Sequence, residues 1–185
     1  MKAIGIACSP RRNGNSEVLV REVLNGAGDG AAKVFRPNEM KIRGCQGCYA
    51  CKEKGRCVVE DDMQELYREI EEADIVVFGT PIYMYGVASQ FKVVLDRLFA
   101  FLGPAPDFKS SLPNGKRAVL VVSQGYEDAQ EYGAHIAQMK ESLRVVGFDE
   151  VKTLVASGLN ELGEAAKRLP LVQEAQMLGR ALRSA

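Results

Sequence analysis

Cys8-Ser9-Pro10-Arg11-Arg12-Asn13-Gly14-Asn15-Ser16 follows directly on the apolar run Ala3-Ile4-Gly5-Ile6-Ala7 and leads into a helical pattern that opens at Glu17. A strand, a loop dense in hydroxyls, amides and arginine, and then a helix start form a phosphate cradle. The helix N-terminus offers amides without intrahelical partners and the positive end of the macrodipole. Ser9, Asn13, Asn15 and Ser16 add neutral donors, and Arg11 or Arg12 can add a bidentate charged one. Pro10 and Gly14 shape the turn. An ordinary helix cap at Asn15 or Ser16 explains one of these residues and leaves the others unexplained.

Outward from this loop, apolar runs alternate with amphipathic helical patterns. The runs predict strands at Lys2–Cys8, Ala32–Phe35, Asp74–Thr80, Lys116–Ser123 and Glu150–Ala156. They lack polar alternation, as strands covered on both faces do. Helices are predicted at Asn15–Leu24, Met63–Ala73, Val87–Phe101, Ala129–Val146 and Leu162–Ala181. The repeat is that of a doubly wound α/β protein with a parallel sheet of five strands. Two segments exceed ordinary loop lengths: Lys41–Asp62 and the proline-bearing Gly103–Gly115. The expected organisation is one domain over residues 1–185 with an insertion at about 41–62.

The 185 residues are 46% hydrophobic and 26% charged, which is globular composition and enough chain for a full core. Lys+Arg and Asp+Glu balance at 24 each, so charge makes no general case for nucleic acid or a membrane surface. No apolar run reaches a membrane span. The N-terminus enters a strand at once, so no signal peptide and a cytoplasmic location are expected.

In doubly wound sheets, ligands bind beyond the carboxyl ends of the strands, where strand order reverses. Besides the first loop, two others fall there. Thr80-Pro81-Ile82-Tyr83-Met84-Tyr85-Gly86 suits the face and edge of a flat heterocycle, because three large residues in a row cannot all enter one core. Ser123-Gln124-Gly125-Tyr126 offers close backbone approach at Gly125.

Taken together, Ser9-Pro-Arg-x-x-Gly-Asn-Ser16, Pro81-Ile-Tyr-Met-Tyr-Gly86 and Phe91-Lys-Val-Val-Leu-Asp-Arg97 resemble the flavodoxin-like NAD(P)H-dependent FMN reductases, and more narrowly the branch of the iron–sulfur flavoproteins. The resemblance runs from Lys2 to about Val155. It implies a flavodoxin-like three-layer sandwich with strand order 2-1-3-4-5. It implies FMN, with phosphate on Ser9, Arg11, Asn13, Asn15 and Ser16. The ring would lie against Pro81, Ile82, Tyr83, Met84, Tyr85 and Gly86, with Ser123, Gln124 and Gly125 nearby. NAD(P)H would be the electron donor, and a quinone, free flavin or iron–sulfur cluster the acceptor. The alternative is an electron carrier reduced by ferredoxin. A homodimer or homotetramer is implied, with the helix carrying Lys92, Asp96 and Arg97 at an interface. No side chain stands out as a general acid or base.

Cys45, Cys48 and Cys51 repeat at CxxC spacing, and Cys57 follows six residues on. In a chain expected to be cytoplasmic this argues for metal or redox use rather than a disulfide framework. The segment resembles the [4Fe–4S] motif of the iron–sulfur flavoproteins, and four thiolates can hold such a cluster. A four-cysteine zinc site, a redox dithiol and free thiols compete with it. Arg43, Lys52, Lys54 and Arg56 are expected to favour thiolate. Cys8 reads as a small buried hydrophobe.

Other features lead elsewhere. Gly26-Ala-Gly28-Asp-Gly30 follows a helix and precedes a strand, the reverse of a dinucleotide fingerprint. His135, the one histidine, reads as an exposed or satisfied helix residue, which argues against a hydrolytic triad. Asp61 and Asp62 read as caps of the helix at Met63. Lys92 and Asp96 form an i,i+4 pair, and Arg97 reads as solvated or packing between helices.

Overall fold

A computed structural model describes residues 1–28 and 31–183. Asp29 and Gly30, part of the glycine-rich loop noted above, lie outside the described residues. Five parallel strands form the sheet: β1 (Ala3–Ala7), β2 (Val34–Phe35), β3 (Ile75–Tyr83), β5 (Arg117–Ser123) and β6 (Glu150–Ala156), in the order β2-β1-β3-β5-β6. This is the predicted 2-1-3-4-5 order. One strand was not predicted: β4 (Gly86–Val87) turns back antiparallel on the end of β3, with Ile82 opposite Val87 and Tyr83 opposite Gly86. Strand order reverses between β1 and β3, and this places the loops after β1 and β3 side by side.

Alternate strand residues feed two cores. Ile4, Ile6, Val76, Phe78, Leu120 and Val122 face α3 (Met63–Glu72), α4 (Ser89–Arg97) and α5 (Gly133–Val146). Ala3, Ile75, Val77, Val119 and Val121 face α1 (Asn15–Gly26) and α6 (Leu169–Arg183). The side chain of Phe78 stands at the centre of the first core, edge-to-face with Phe91 at 6.1 Å and with Phe148 at 5.7 Å.

On the second face, α1 approaches the sheet through a notch. Val20 sits over Gly5 of β1 and Gly79 of β3. A Cβ on Gly5 would lie 2.7 Å from Val20 Cγ1, and one on Gly79 would lie 2.4 Å from Val20 Cγ2 and 3.1 Å from the Ser16 carbonyl oxygen. The missing side chains in the sheet therefore set how close the first turn of α1 comes to the strands beneath it.

Helix boundaries depart from expectation where turns intervene. Val87 is in β4, so α4 begins at Ser89, and its last predicted turn, Leu98–Phe101, is 3₁₀. The predicted start of α5 at Ala129 is instead a turn closed by the Asp128 carboxylate accepting from the Gln130 N–H at 2.8 Å. The final helix is split into a 3₁₀ turn, Glu164–Lys167, and α6, whose Pro170 falls in the first turn, where a missing N–H costs nothing. No described helix is long and apolar enough to cross a membrane.

The insertion between β2 and α3 is a loop with a closed neck. The Lys41 N–H donates to the Asp62 carboxylate at 2.6 Å and the Asp62 N–H to the Lys41 carbonyl at 3.2 Å. Beyond the neck lies one short helix, α2 (Ala50–Lys54), entered through Tyr49 at φ 56° and left through Gly55 at φ 68°. The Gly103–Gly115 segment is irregular and tied back by the Ser111 N–H on the Phe101 carbonyl at 2.7 Å.

Candidate functional site

The loop after β1 folds around its own polar groups. The Arg11 N–H donates to Ser9 Oγ at 3.1 Å and the Gly14 N–H to the Arg11 carbonyl at 3.2 Å. Asn13 takes a left-handed conformation at φ 55°, and its N–H donates to the Glu17 carboxylate at 3.0 Å. Gly14 is the N-cap, with no side-chain capping bond, so neither Asn15 nor Ser16 acts as the cap. The Asn15 side chain instead reaches across the molecule, donating to the Glu161 carbonyl at 2.9 Å and accepting from the Ala165 N–H at 3.0 Å. It fastens the loop to the chain beyond β6. Arg12 is held by Glu39 at 2.6 and 2.9 Å, whereas Arg11 has no ion-pair partner among the described residues.

Ser16 is the decisive side chain. It is 1% exposed, and its Oγ has no hydrogen-bond partner. A buried hydroxyl without a partner costs about 1–3 kcal/mol. At the start of a helix this hydroxyl is free to donate to an acceptor that enters the loop.

Glu17 places a carboxylate one residue further on, yet it does not oppose an anion. It is turned toward Arg36, whose Nη2 lies 2.6 Å away, and Arg21, whose Nη2 lies 3.0 Å away. Burial pushes the Glu17 carboxyl up, but Arg36, the Asn13 N–H and Arg21 outweigh that and hold it below the usual carboxylate range. The folded pKa is therefore below the unfolded one. The stabilisation is full above about pH 4.5, the usual glutamate range, and drains away as pH falls through the folded value. Glu17→Gln is expected to cost about 1.5–3 kcal/mol at pH 7, the worth of charged hydrogen bonds. Urea unfolding at pH 7 and pH 4 checks the sign: the variant should lose less than the native chain on acidification. Equal losses would contradict it.

The cradle opens into a trough. Ser9, Arg11, Asn15, Ser16, Pro81, Ile82, Tyr83, Ser123, Gln124 and Gly125 line its first part. Ile82, Gln124 and Gly125 also line a second cavity of about 400 Å³, together with Met84 and Tyr85. The structure thus brings together the predicted residues of all three loops. Asn13 and Gly86 are the exceptions, lining neither part; Asn13 serves the loop's backbone and Gly86 the hairpin register. Met84 and Tyr85 form the hairpin tip, with φ 45° and 62°. This is the geometry of a two-residue primed turn, for which glycine and asparagine are the usual residues. Thr80 Oγ1 braces the hairpin by accepting from the Ala88 N–H at 3.2 Å.

The far wall was read from sequence only in part: Tyr126 belongs to the third loop, whereas Tyr132 and Asn160 join it from further along the chain, with Tyr132 edge-to-face to Tyr85 at 6.4 Å and to Tyr126 at 5.9 Å. The neighbouring Tyr85 hydroxyl pushes the Tyr126 phenol pKa up. Gln124 is 2% exposed; its Nε2 donates to the Asp128 carbonyl at 2.7 Å, while its Oε1 is buried without a partner. His135 is half-buried rather than exposed or satisfied, and its Nε2 has no partner.

Cys45, Cys48, Cys51 and Cys57 line one small cavity, floored by Arg97, Phe99 and Ala100. All are free thiols, and among the described residues no three His, Cys, Asp or Glu side chains are gathered to hold a metal. The expected basic partners are redistributed. Lys52 Nζ is taken by the carbonyls of Phe99, at 2.6 Å, and Leu102, and lies 3.5 Å above the Phe99 ring. The cation beside the thiols is Arg97, which sequence reading left as solvated or packing; it is 1% exposed. Asp62 is the N-cap residue of α3 but makes no side-chain capping bond; Asp61 accepts from the Met63 N–H at 3.1 Å, and its main partner is Arg97 at 2.7 Å. The Lys92–Asp96 pair forms at 2.6 Å. Cys8 is fully buried, and burial pushes its thiol pKa up.

A parallel doubly wound sheet with a polar loop and an aromatic-walled trough at its switch point defines a flavodoxin-like protein. The chain belongs to the NADPH-dependent FMN reductase family, whose description matches residues 1–159. It is 42% identical over 99 residues to an iron–sulfur flavoprotein of Methanocaldococcus jannaschii, covering 52% of this chain and 51% of that one. It is 32% identical over 148 residues to an iron–sulfur flavoprotein of Archaeoglobus fulgidus, covering 79% and 65%. The matches thus span from about half to somewhat under two thirds of these relatives' length. Among solved structures, an NAD(P)H:quinone oxidoreductase from Methanothermobacter marburgensis superposes with a TM-score of 0.73 over 98% of this chain and 96% of that one, at 18% identity. That likeness concerns the fold.

Proposed function

We propose that the protein is an FMN-dependent oxidoreductase that takes electrons from NAD(P)H and passes them to a quinone, a free flavin or a similar acceptor. The observation that carries this reading is the pair of buried, unpartnered polar atoms in one trough, Ser16 Oγ and Gln124 Oε1. Their chemistry is complementary. A hydroxyl at a helix start can donate to a phosphate oxygen, whereas an amide oxygen only accepts and calls for a hydroxyl or N–H, such as a ribityl chain or flavin ring offers. Bound there, FMN supplies the hydride and single-electron chemistry. The chain's own residues bind and orient. Ser9, Arg11, Ser16 and the first amides of α1 take the phosphate, and Asn15 acts by anchoring the loop. Ile82 to Tyr85 take the ring on one side, with Tyr126 and Tyr132 narrowing access of water on the other.

In donor type, though not in the spacing of the thiols among the described residues, the cysteines of the insertion suit a second group. Four thiols share one cavity with a buried guanidinium, and the relatives are named for iron and sulfur. In this second reading Cys45, Cys48, Cys51 and Cys57 hold a [4Fe–4S] cluster, and the protein relays electrons from a ferredoxin-like donor. We further read the assembly as a homodimer or homotetramer.

The test is an absorption spectrum of anaerobically purified protein before and after dithionite, with iron and sulfide analysis. Flavin bands that bleach on reduction are expected. Colourless protein that takes up no FMN on titration would overturn the first reading. About four irons per chain, as a four-thiolate cubane requires, would establish the second. No iron after anaerobic reconstitution would remove it.

A further inference from the structure

Arg97 is among the largest fully buried side chains described, and every hydrogen bond of its guanidinium goes to the neck of the cysteine loop or to Tyr67. Its Nη1 donates to Asp61 at 2.7 Å and its Nη2 to the other carboxylate oxygen at 3.1 Å, a forked pair. Nη1 also donates to the Arg43 carbonyl at 2.7 Å, and the Arg43 N–H in turn donates to Asp61 at 2.9 Å. One guanidinium thus joins the segment entering the loop to the segment leaving it. Tyr67 holds Arg97 from below, donating to its carbonyl at 2.8 Å and receiving its Nε–H at 3.2 Å. Arg97 also lines the small cavity shared by Cys45, Cys48, Cys51 and Cys57, and Cys57 lies near enough to act on both Arg97 and Tyr67.

A buried ion pair is weak evidence for stability alone, since apolar replacement is often neutral. This pair has a geometry that stability does not require: a closed neck behind it and thiols in front. We propose that Arg97 is a positioning residue for the four-cysteine loop, clasping its neck through Asp61 and setting a fixed positive charge beneath the thiols. This rests on the cysteines holding an iron–sulfur cluster, the second reading above. A cluster on four thiolates is anionic and gains negative charge on reduction. The guanidinium favours the reduced form, and the Asp61 carboxylate opposes it.

The experiment compares Arg97→Met, Arg97→Lys and Asp61→Asn with the native chain, all reconstituted anaerobically with iron and sulfide. The ratio of reduced to oxidised cluster is read spectroscopically at one fixed poise. Arg97→Met should lower the ratio and Asp61→Asn raise it, each by about tenfold for a unit charge at close range in a partly screened site. Arg97→Lys should stay near the native ratio. In the same samples before reconstitution, amide exchange of residues 44–60 should quicken in all three variants, because none keeps the complete fork. If Arg97→Met fails to fold, Arg97→Lys and Asp61→Asn carry both readouts. Ratios that shift in one common direction would reduce Arg97 to a structural clasp and overturn the proposal. So would unchanged exchange over 44–60. A native chain that takes up no iron would instead overturn the cluster reading, and the positioning role with it.

Discussion

Ser16→Asp is expected to lower FMN affinity by about a thousandfold. The carboxylate would stand where the unpartnered Ser16 hydroxyl now stands, at the floor of the cradle. At about 4 Å from a phosphate, in a site of effective dielectric near 20, one unit of like charge opposes binding by about 4 kcal/mol. The buried carboxylate also costs stability, which its place in the first turn of a helix offsets only in part, so affinity is compared on the folded fraction. Ser16→Ala separates charge from hydrogen bonding. It removes one bond to a charged group, about 1.5–3 kcal/mol, and should weaken binding by about ten- to a hundredfold. Flavin fluorescence titration measures both, with circular dichroism as the check on folding. Equal affinity in the native chain and Ser16→Asp would move the phosphate out of this loop altogether.

Phe78→Ala should be the most damaging core change. Phe78 is fully buried in the middle of β3 and meets one ring from α4 and another just before β6, so its loss opens a cavity between sheet and helices. Truncating such a ring costs about 3–5 kcal/mol. For a chain of this size that is a fall in melting temperature of about 6–20 °C. Phe78→Leu keeps most of the volume and should cost less than half as much. Calorimetry at one protein concentration would show it. A fall under about 3 °C for the alanine variant would mean that the surrounding layer closes over the gap instead of leaving a cavity.

The parallel sheet was legible because strands covered on both faces leave a plain trace: Ile75-Val76-Val77-Phe78 has no polar alternation to obscure it. The cradle was legible because its residues are contiguous. What escaped depended on distant partners. Arg97 looks like any helix residue until Asp61, 36 positions away, closes on it. Asn15 looks like a ligand donor, but its acceptor and donor lie about 150 residues further along. Tyr132 enters the trough because the chain before α5 is a turn, and turns bend side chains onto surfaces that no periodicity announces. β4 escaped because two residues are too few to carry a pattern, and Val87 had been assigned to the helix after it.

The notch under Val20 has a consequence for how this site can be mapped. The floor beneath α1 is made of absence: Gly5 and Gly79 line neither part of the trough, yet they govern the height at which the first turn of α1 stands over it. Alanine, the usual tool for subtracting a side chain, is at these two positions an addition. A conventional scan of the surfaces a ligand touches would pass over both residues, and a scan that did include them would misread a displaced helix as a lost contact.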